Sequence, residues 1–116
     1  MQTHISFRDI EPSEAVERRV QERADRLAGL SDRITTCHVV VQAPHRHHHK
    51  GILYDVRIQL HVPGGELVVT REGSQDHAHE DVYVVIRDAF DVAERRLEEW
   101  TRRHNTSTVA RRGSRE

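Results

Sequence analysis

The chain lacks most of what marks a secreted scaffold, a membrane protein or an enzyme. Cys37 is its only cysteine among 116 residues. There is thus no disulfide framework, and a reducing compartment is the natural setting. No apolar run approaches the roughly 18 residues that a membrane-spanning helix needs, and the N-terminus, MQTHISFRD, is too polar for a signal peptide. A cytoplasmic protein with no membrane partner is expected. Aromatics are scarce, at 4% of residues, and 18 Lys+Arg against 19 Asp+Glu leave a formal net charge of −1. That balance supplies no bulk attraction to nucleic acid, so any basic surface must be local. Neither a nucleophile with a catalytic partner nor a cofactor loop is evident. Glu80 and Asp81 beside His79 have the make-up of an acid–base pair but serve equally as a helix start. No enzymatic activity and no cofactor are expected.

What the chain does have is alternation. Tyr54, Val56, Ile58, Leu60 and Val62 alternate with Asp55, Arg57, Gln59 and His61, a period of two that predicts a strand with one dry face and one wet face. Pro63-Gly64-Gly65 breaks the run, and Leu67, Val68 and Val69 resume a strand beyond it. The pattern predicts a β-hairpin. Upstream, Thr3, Ile5 and Phe7 alternate with His4, Ser6 and Arg8 in a short first strand. A second strand is expected over 34–43, with Cys37, Val39, Val41 and Ala43 on one face, and Pro44 ends it. Cys37 on that apolar face reads as a packed thiol.

Two segments carry helical spacing. From Ser13 to about Leu30, Val16, Val20, Ala24 and Leu27 recur every three or four residues behind an acidic, proline-containing start, with Gly29 as terminator. From about Glu80 to Arg103, Val82, Ile86, Ala89, Phe90, Ala93, Leu97 and Trp100 form a second apolar stripe, with Ser74 and Asp76 as candidate caps. The order is β-α-β-β-β-α. It predicts an α+β fold in one domain over 1–104: a four-stranded mixed sheet with two helices packed on one face. Residues 105–116 have no periodicity and are expected to be a disordered tail.

Arg19, Arg23 and Arg26 share one flank of the first helical stripe. Arg96 and Arg103 flank the second, and Arg95 and Arg102 lie together farther round. Acidic residues are interleaved throughout, so these arginines read either as a solvated, salt-paired surface or as a phosphate-binding stripe suited to the guanidinium fork.

The chain resembles the ribosome hibernation-promoting factors of the ribosome-associated inhibitor, or sigma-54 modulation, family in its short form. HVPGGELVV at 61–69 is similar to that family's hairpin, EDVYVVIRDAFDVAERRLEEW at 80–100 to its last helix, and the helix opening EPSEAVERRV to its first. The resemblance spans about residues 1–104. It implies a fold related to double-stranded-RNA-binding domains, and binding in the tRNA and mRNA channel of the small ribosomal subunit that blocks translation in dormant cells. Ribosomal RNA contacts are implied for basic residues of the two helices. Arg95 matches the arginine of the family's R-Q-L segment, with Arg96 in place of the glutamine; Arg19, Arg23 and Arg26 correspond more loosely. Val92 and Glu99 stand where family members often carry lysine. The long form's second, dimerising domain is not in the sequence, so domain-mediated ribosome pairing is not expected. A monomer or weak dimer in isolation is.

Six of the ten histidines fall in two segments outside that pattern, His45 to His49 and His77 to His79. A hairpin closed at Pro63–Gly65 brings both segments to one edge of the sheet. Three readings stay open: incidental polar loop surface; RNA contact, with Arg46, Lys50 and the imidazoles as donors and stacking surfaces; or a metal site. His47 with His49, or His77 with His79 and Glu80, would supply nitrogen and oxygen ligands for zinc or nickel, although the spacing matches no metalloenzyme signature.

Overall fold

The computed structural model describes residues 1–47, 51–73 and 81–115, with side chains for 1–43, 53–73 and 81–104. In chain order the elements are β1 (Gln2–Arg8), α1 (Glu14–Leu30), β2 (Thr36–His47), β3 (Gly51–Val62), β4 (Gly65–Arg71) and α2 (Val82–Arg115). The four strands form one sheet in the order β1-β2-β3-β4. The helical crossover makes β1 and β2 parallel, and the two hairpins that follow are antiparallel. The expected α+β fold is the observed one.

The period-two pattern sets which face of the sheet is covered. Cys37, Val39 and Val41 of β2 and Val56, Ile58 and Leu60 of β3 are buried against Val16, Val20, Ala24 and Leu27 of α1 and Val85, Ile86, Ala89, Phe90, Ala93 and Leu97 of α2. No polar or charged residue is buried among the described residues. Both helices therefore lie on one side, and the alternate positions of every strand face away from them.

The ends of the elements have local causes. Ser13 caps α1: its Oγ accepts from the Val16 N–H at 3.3 Å. Pro12 thus lies just outside the helix and not in its first turn. Gly29 does not terminate α1; the helix runs to Leu30 and closes with the Ser31 N–H donating to the Leu27 carbonyl at 3.2 Å. Pro63 and Gly64 make the β3–β4 turn, with Gly64 at φ 85°, the positive φ that a proline-led turn asks of its third residue. Asp81 starts α2 by accepting the Tyr83 N–H at 2.6 Å. The caps expected at Ser74 and Asp76 lie outside the described residues.

Two boundaries differ from the sequence expectation. Pro44 does not end β2, which continues to His47. The pairing shifts register between Gln42 and His45, so residues 43 and 44 oppose Tyr54 alone, and a bulge tolerates a residue with no N–H to donate. At the other end, α2 does not stop near Arg103 but is helical to Arg115, in place of the irregular tail expected from residue 105. Apolar periodicity reports only that part of a helix with something to pack against, and so gives no signal beyond the stripe.

Burial pushes the Cys37 thiol up, to about 11, because the thiolate would have to form in an apolar core. Since its folded value lies above the unfolded one, the thiol's contribution to stability is complete below the ordinary thiol range and is lost as pH rises toward 11. An aromatic disulfide reagent should therefore label Cys37 only as fast as the chain opens, with a urea dependence that follows unfolding. Phe90→Ala should lower the unfolding free energy by about 4 kcal/mol, whereas truncating exposed Leu30 should change it little.

Candidate nucleic-acid interface

The flank of α1 that carries Arg19, Arg23 and Arg26 turns toward α2, and each of these arginines has a carboxylate within 4 Å. Arg23 crosses to α2 and its Nη2 lies 2.8 Å from Asp91 Oδ1 and 3.4 Å from Glu94 Oε2, with the guanidinium 5.6 Å from the Phe90 ring centre. Arg26 Nε approaches the other Glu94 oxygen at 2.7 Å. The Arg23 and Glu94 side chains are only 14% and 12% exposed, so this pair joins the helices. Arg19 is freer. It contacts Glu22 at 3.7 Å, and its guanidinium sits 5.0 Å from the Tyr83 ring centre. Arg19 and Arg23 with Tyr83 and Arg87 line a groove of about 440 Å³ between the two helices. Arg87, absent from the sequence reading, contacts Asp88 at 3.1 Å.

The remaining expected arginines of α2 do not act as one patch. Arg95 is exposed. Arg96 donates instead to the Val68 carbonyl of β4 and ties the helix to the sheet. Arg103 pairs with Glu99 one turn earlier, at 2.6 Å, and Arg102 borders a separate recess beside Leu30, Leu97 and Thr101. The backbone of Arg46 and His47 belongs to β2, but their side chains are outside the described set, and Lys50, His49, His77, His79 and Glu80 lie outside the described residues altogether. Whether the two histidine segments meet falls outside them too. Among the described residues no group of three His, Cys, Asp or Glu is placed to hold a metal ion.

The sheet itself brings together histidines that the sequence reading passed over. His4 of β1, His38 of β2 and His61 of β3 occupy wet-face positions, and parallel pairing sets His4 directly beside His38. The His4 and His38 rings are stacked at 4.8 Å with 17° between their planes, and His61 meets His38 edge-on at 5.6 Å. On the same face Arg8, His38, Val40, Gln42, Arg57 and Gln59 line a recess of about 210 Å³. The signal was present as histidines at wet positions of three strands, but register was needed to align them.

The sequence profile of the family described as sigma 54 modulation protein / S30EA ribosomal protein matches residues 3–105. A ribosome hibernation promotion factor of Deinococcus radiodurans is 31% identical over 100 residues, covering 86% of this chain and 49% of that protein. A ribosome hibernation promoting factor of Azotobacter vinelandii is 30% identical over 97 residues, covering 84% and 79% respectively. The chain thus spans about half the length of the Deinococcus relative. Among solved structures, a ribosomal subunit interface protein of Coxiella burnetii superposes with a TM-score of 0.70 at 16% identity, covering 87% of this chain and 98% of that one. The N-terminal domain of Thermus thermophilus Protein Y gives 0.67 at 22% identity, covering 86% and 99%.

The contact between α1 and α2 makes its own prediction. Glu94→Ala leaves Arg23 and Arg26 near each other with Asp91 as the remaining counter-charge, and urea unfolding should show a loss on the order of 3 kcal/mol. Replacing Arg23 by Met together with Glu94 by Leu should restore most of it, because the desolvation cost of the pair disappears with its charges.

Proposed function

The chain belongs to the sigma 54 modulation protein / S30EA ribosomal protein family, and from that membership we propose that it is a non-enzymatic ribosome-associated factor. It binds the small ribosomal subunit through ribosomal RNA and lowers translation in dormant or stressed cells. The observation that carries the RNA part is the arginine-lined groove between α1 and α2, with Arg19 and Arg87 as its accessible cations; Arg95 is exposed on α2 outside the groove lining. Names borne by relatives, which are hibernation factors, support the ribosomal part.

Physical chemistry divides the helix arginines by what they already hold. Exposed pairs such as Arg19–Glu22 and Arg103–Glu99 are each worth about 0–1 kcal/mol, so a phosphate can take the guanidinium from the carboxylate at little cost. Arg23 is committed to Asp91 and Glu94 and serves to hold the helices in the spacing that forms the groove. The interleaved carboxylates have a second effect: they repel RNA that does not fit. A chain with a formal net charge of −1 gains little from polyanions in general, so binding depends on matching the groove to a fixed phosphate arrangement.

Co-sedimentation with purified small subunits and whole ribosomes across a salt series tests this reading. Binding should fall as salt rises, and Arg19→Ala/Arg95→Ala should weaken it and reduce the slope of log affinity against log salt by at most roughly 1 per lost phosphate contact. The same double variant should relieve inhibition in a cell-free translation reaction. A wild-type chain that fails to co-sediment even at low salt would show that another partner is held.

A further inference from the structure

We propose that the open face of the sheet, opposite the two helices, binds single-stranded RNA through the His4–His38–His61 ring cluster and the Arg8 and Arg57 guanidinium groups. Charge favours this face. Arg19, Arg23, Arg26, Arg87 and Arg103 are each engaged by a carboxylate, whereas among the described residues Arg8 and Arg57 have no ion-pair partner. The recess they border also holds imidazole and amide groups from His38, Gln42 and Gln59 and no carboxylate. Two carboxylates on this face lie outside that recess and each accepts a hydrogen bond: Asp55 from the Gly73 N–H at 3.1 Å, and Glu66 from Gln59 Nε2 at 2.5 Å, with His61 Nδ1 3.8 Å away. What remains is a surface rich in donors and poor in acceptors, which fits phosphodiester oxygens.

Ring geometry favours single strands. His4 and His38 turn their ring faces to each other and His61 meets His38 edge-on, so an unpaired base would extend this ring column from exposed His4 on the edge strand, in the way single-stranded RNA stacks its bases on aromatic rings while cations follow the backbone. A duplex keeps its bases stacked on one another and has none to offer. His38 and His61 stand on the two central strands and His4 beside them on the edge strand, and Arg8 lies four residues along β1 from His4, about 13 Å. Stacked nucleotides advance about 3.4 Å each, so the face accommodates several. Aromatic residues are otherwise kept off this side: Phe7, Tyr54, Tyr83, Phe90 and Trp100 all belong to or pack on the core. The proposal uses residues separate from those of the helix groove and stands without the ribosomal reading.

The test is fluorescence anisotropy of the full chain with a labelled mixed-sequence single-stranded RNA of about ten nucleotides, at low salt. Arg8→Glu/Arg57→Glu should abolish binding, and His38→Ala/His61→Ala should weaken it about tenfold or more, the scale of losing base-stacking partners. Arg19→Ala/Arg95→Ala should leave it within about twofold, since those arginines are not on the path that the phosphates follow. Independently of any variant, the ring resonances of His4, His38 and His61 in the wild-type protein should shift on adding RNA, while that of His104, stacked on Trp100, should not. The proposal is overturned by unmoved ring resonances, by a duplex that binds equally well, or by inorganic phosphate competing beyond its ionic strength, which would reduce the face to a simple anion site. A dimer in sedimentation equilibrium that dissociates in Arg8→Glu/Arg57→Glu would assign the face to a second copy instead and equally overturn it. Neither result would alter co-sedimentation of the helix-groove variant with ribosomes, so the two readings fail separately.

Discussion

Two helices can cover only one side of a four-stranded sheet, and this asymmetry decides almost everything else about the molecule. The strands must alternate, because a residue on the covered side meets α1 or α2 and its neighbour meets water. Val39, Val41, Val56, Ile58 and Leu60 are fully buried or nearly so, while His38, Val40, Arg57, Gln59 and His61 between them look outward. A register slip of one residue on β3 would put Arg57 and Gln59 into the core, so the pattern fixes the pairing as firmly as the turns do. The same asymmetry creates two surfaces with different chemistry, one built from helix flanks and one from strand wet positions.

Charge is distributed between those surfaces according to what each must hold. On the helix side the arginines and carboxylates are interleaved at helical spacing, and where α1 meets α2 they are squeezed into the Arg23–Asp91–Glu94–Arg26 cluster. That cluster is structural first: Glu94 sits at the boundary of the core, and a carboxylate there is tolerable only because two guanidinium groups reach it. Lys50 is the chain's only lysine. The basic surface is therefore almost wholly guanidinium, which can serve a carboxylate and a ring face together, as Arg23 does with Glu94 and Phe90.

The parts of the fold that were legible in the sequence were those governed by burial period. The β3 alternation, the stripe Val16, Val20, Ala24 and Leu27, and the longer stripe through Phe90 and Leu97 each named the residues that turn out to be core. Boundaries were harder because they depend on neighbours. Pro44 reads as a strand end until β3 is seen to absorb it in a bulge, and Gly29 reads as a helix end although Ser31 closes the helix. The arginines of α1 were correctly placed on one flank, yet the sequence could not say that this flank faces Asp91 and Glu94 some seventy residues later, so their division between structural and accessible roles was invisible. The same holds for His4, His38 and His61. Sequence adjacency groups the histidines of 45–49 and 77–79, whereas these three become neighbours only through sheet register.

The two surfaces differ in how their affinity must respond to salt. A phosphate that engages Arg19 or Arg87 displaces a carboxylate already there, and the released Glu22 or Asp88 stays close enough to repel it. Net counterion release is then smaller per contact than at a bare cation, because the freed carboxylate takes up a solution cation as the phosphate gives one up. Arg8 and Arg57 have no such competitor on the sheet face, so each contact there gains the full release term. The helix groove should accordingly be the more selective surface and the less salt-dependent per contact, with shape setting its affinity. The sheet face should be the more permissive one, held by phosphate charge and by stacking that every base can supply. Near-neutral net charge is what lets both properties coexist: a strongly basic chain would hold any RNA on either side, and the groove's fit to one phosphate arrangement would no longer decide where the protein binds.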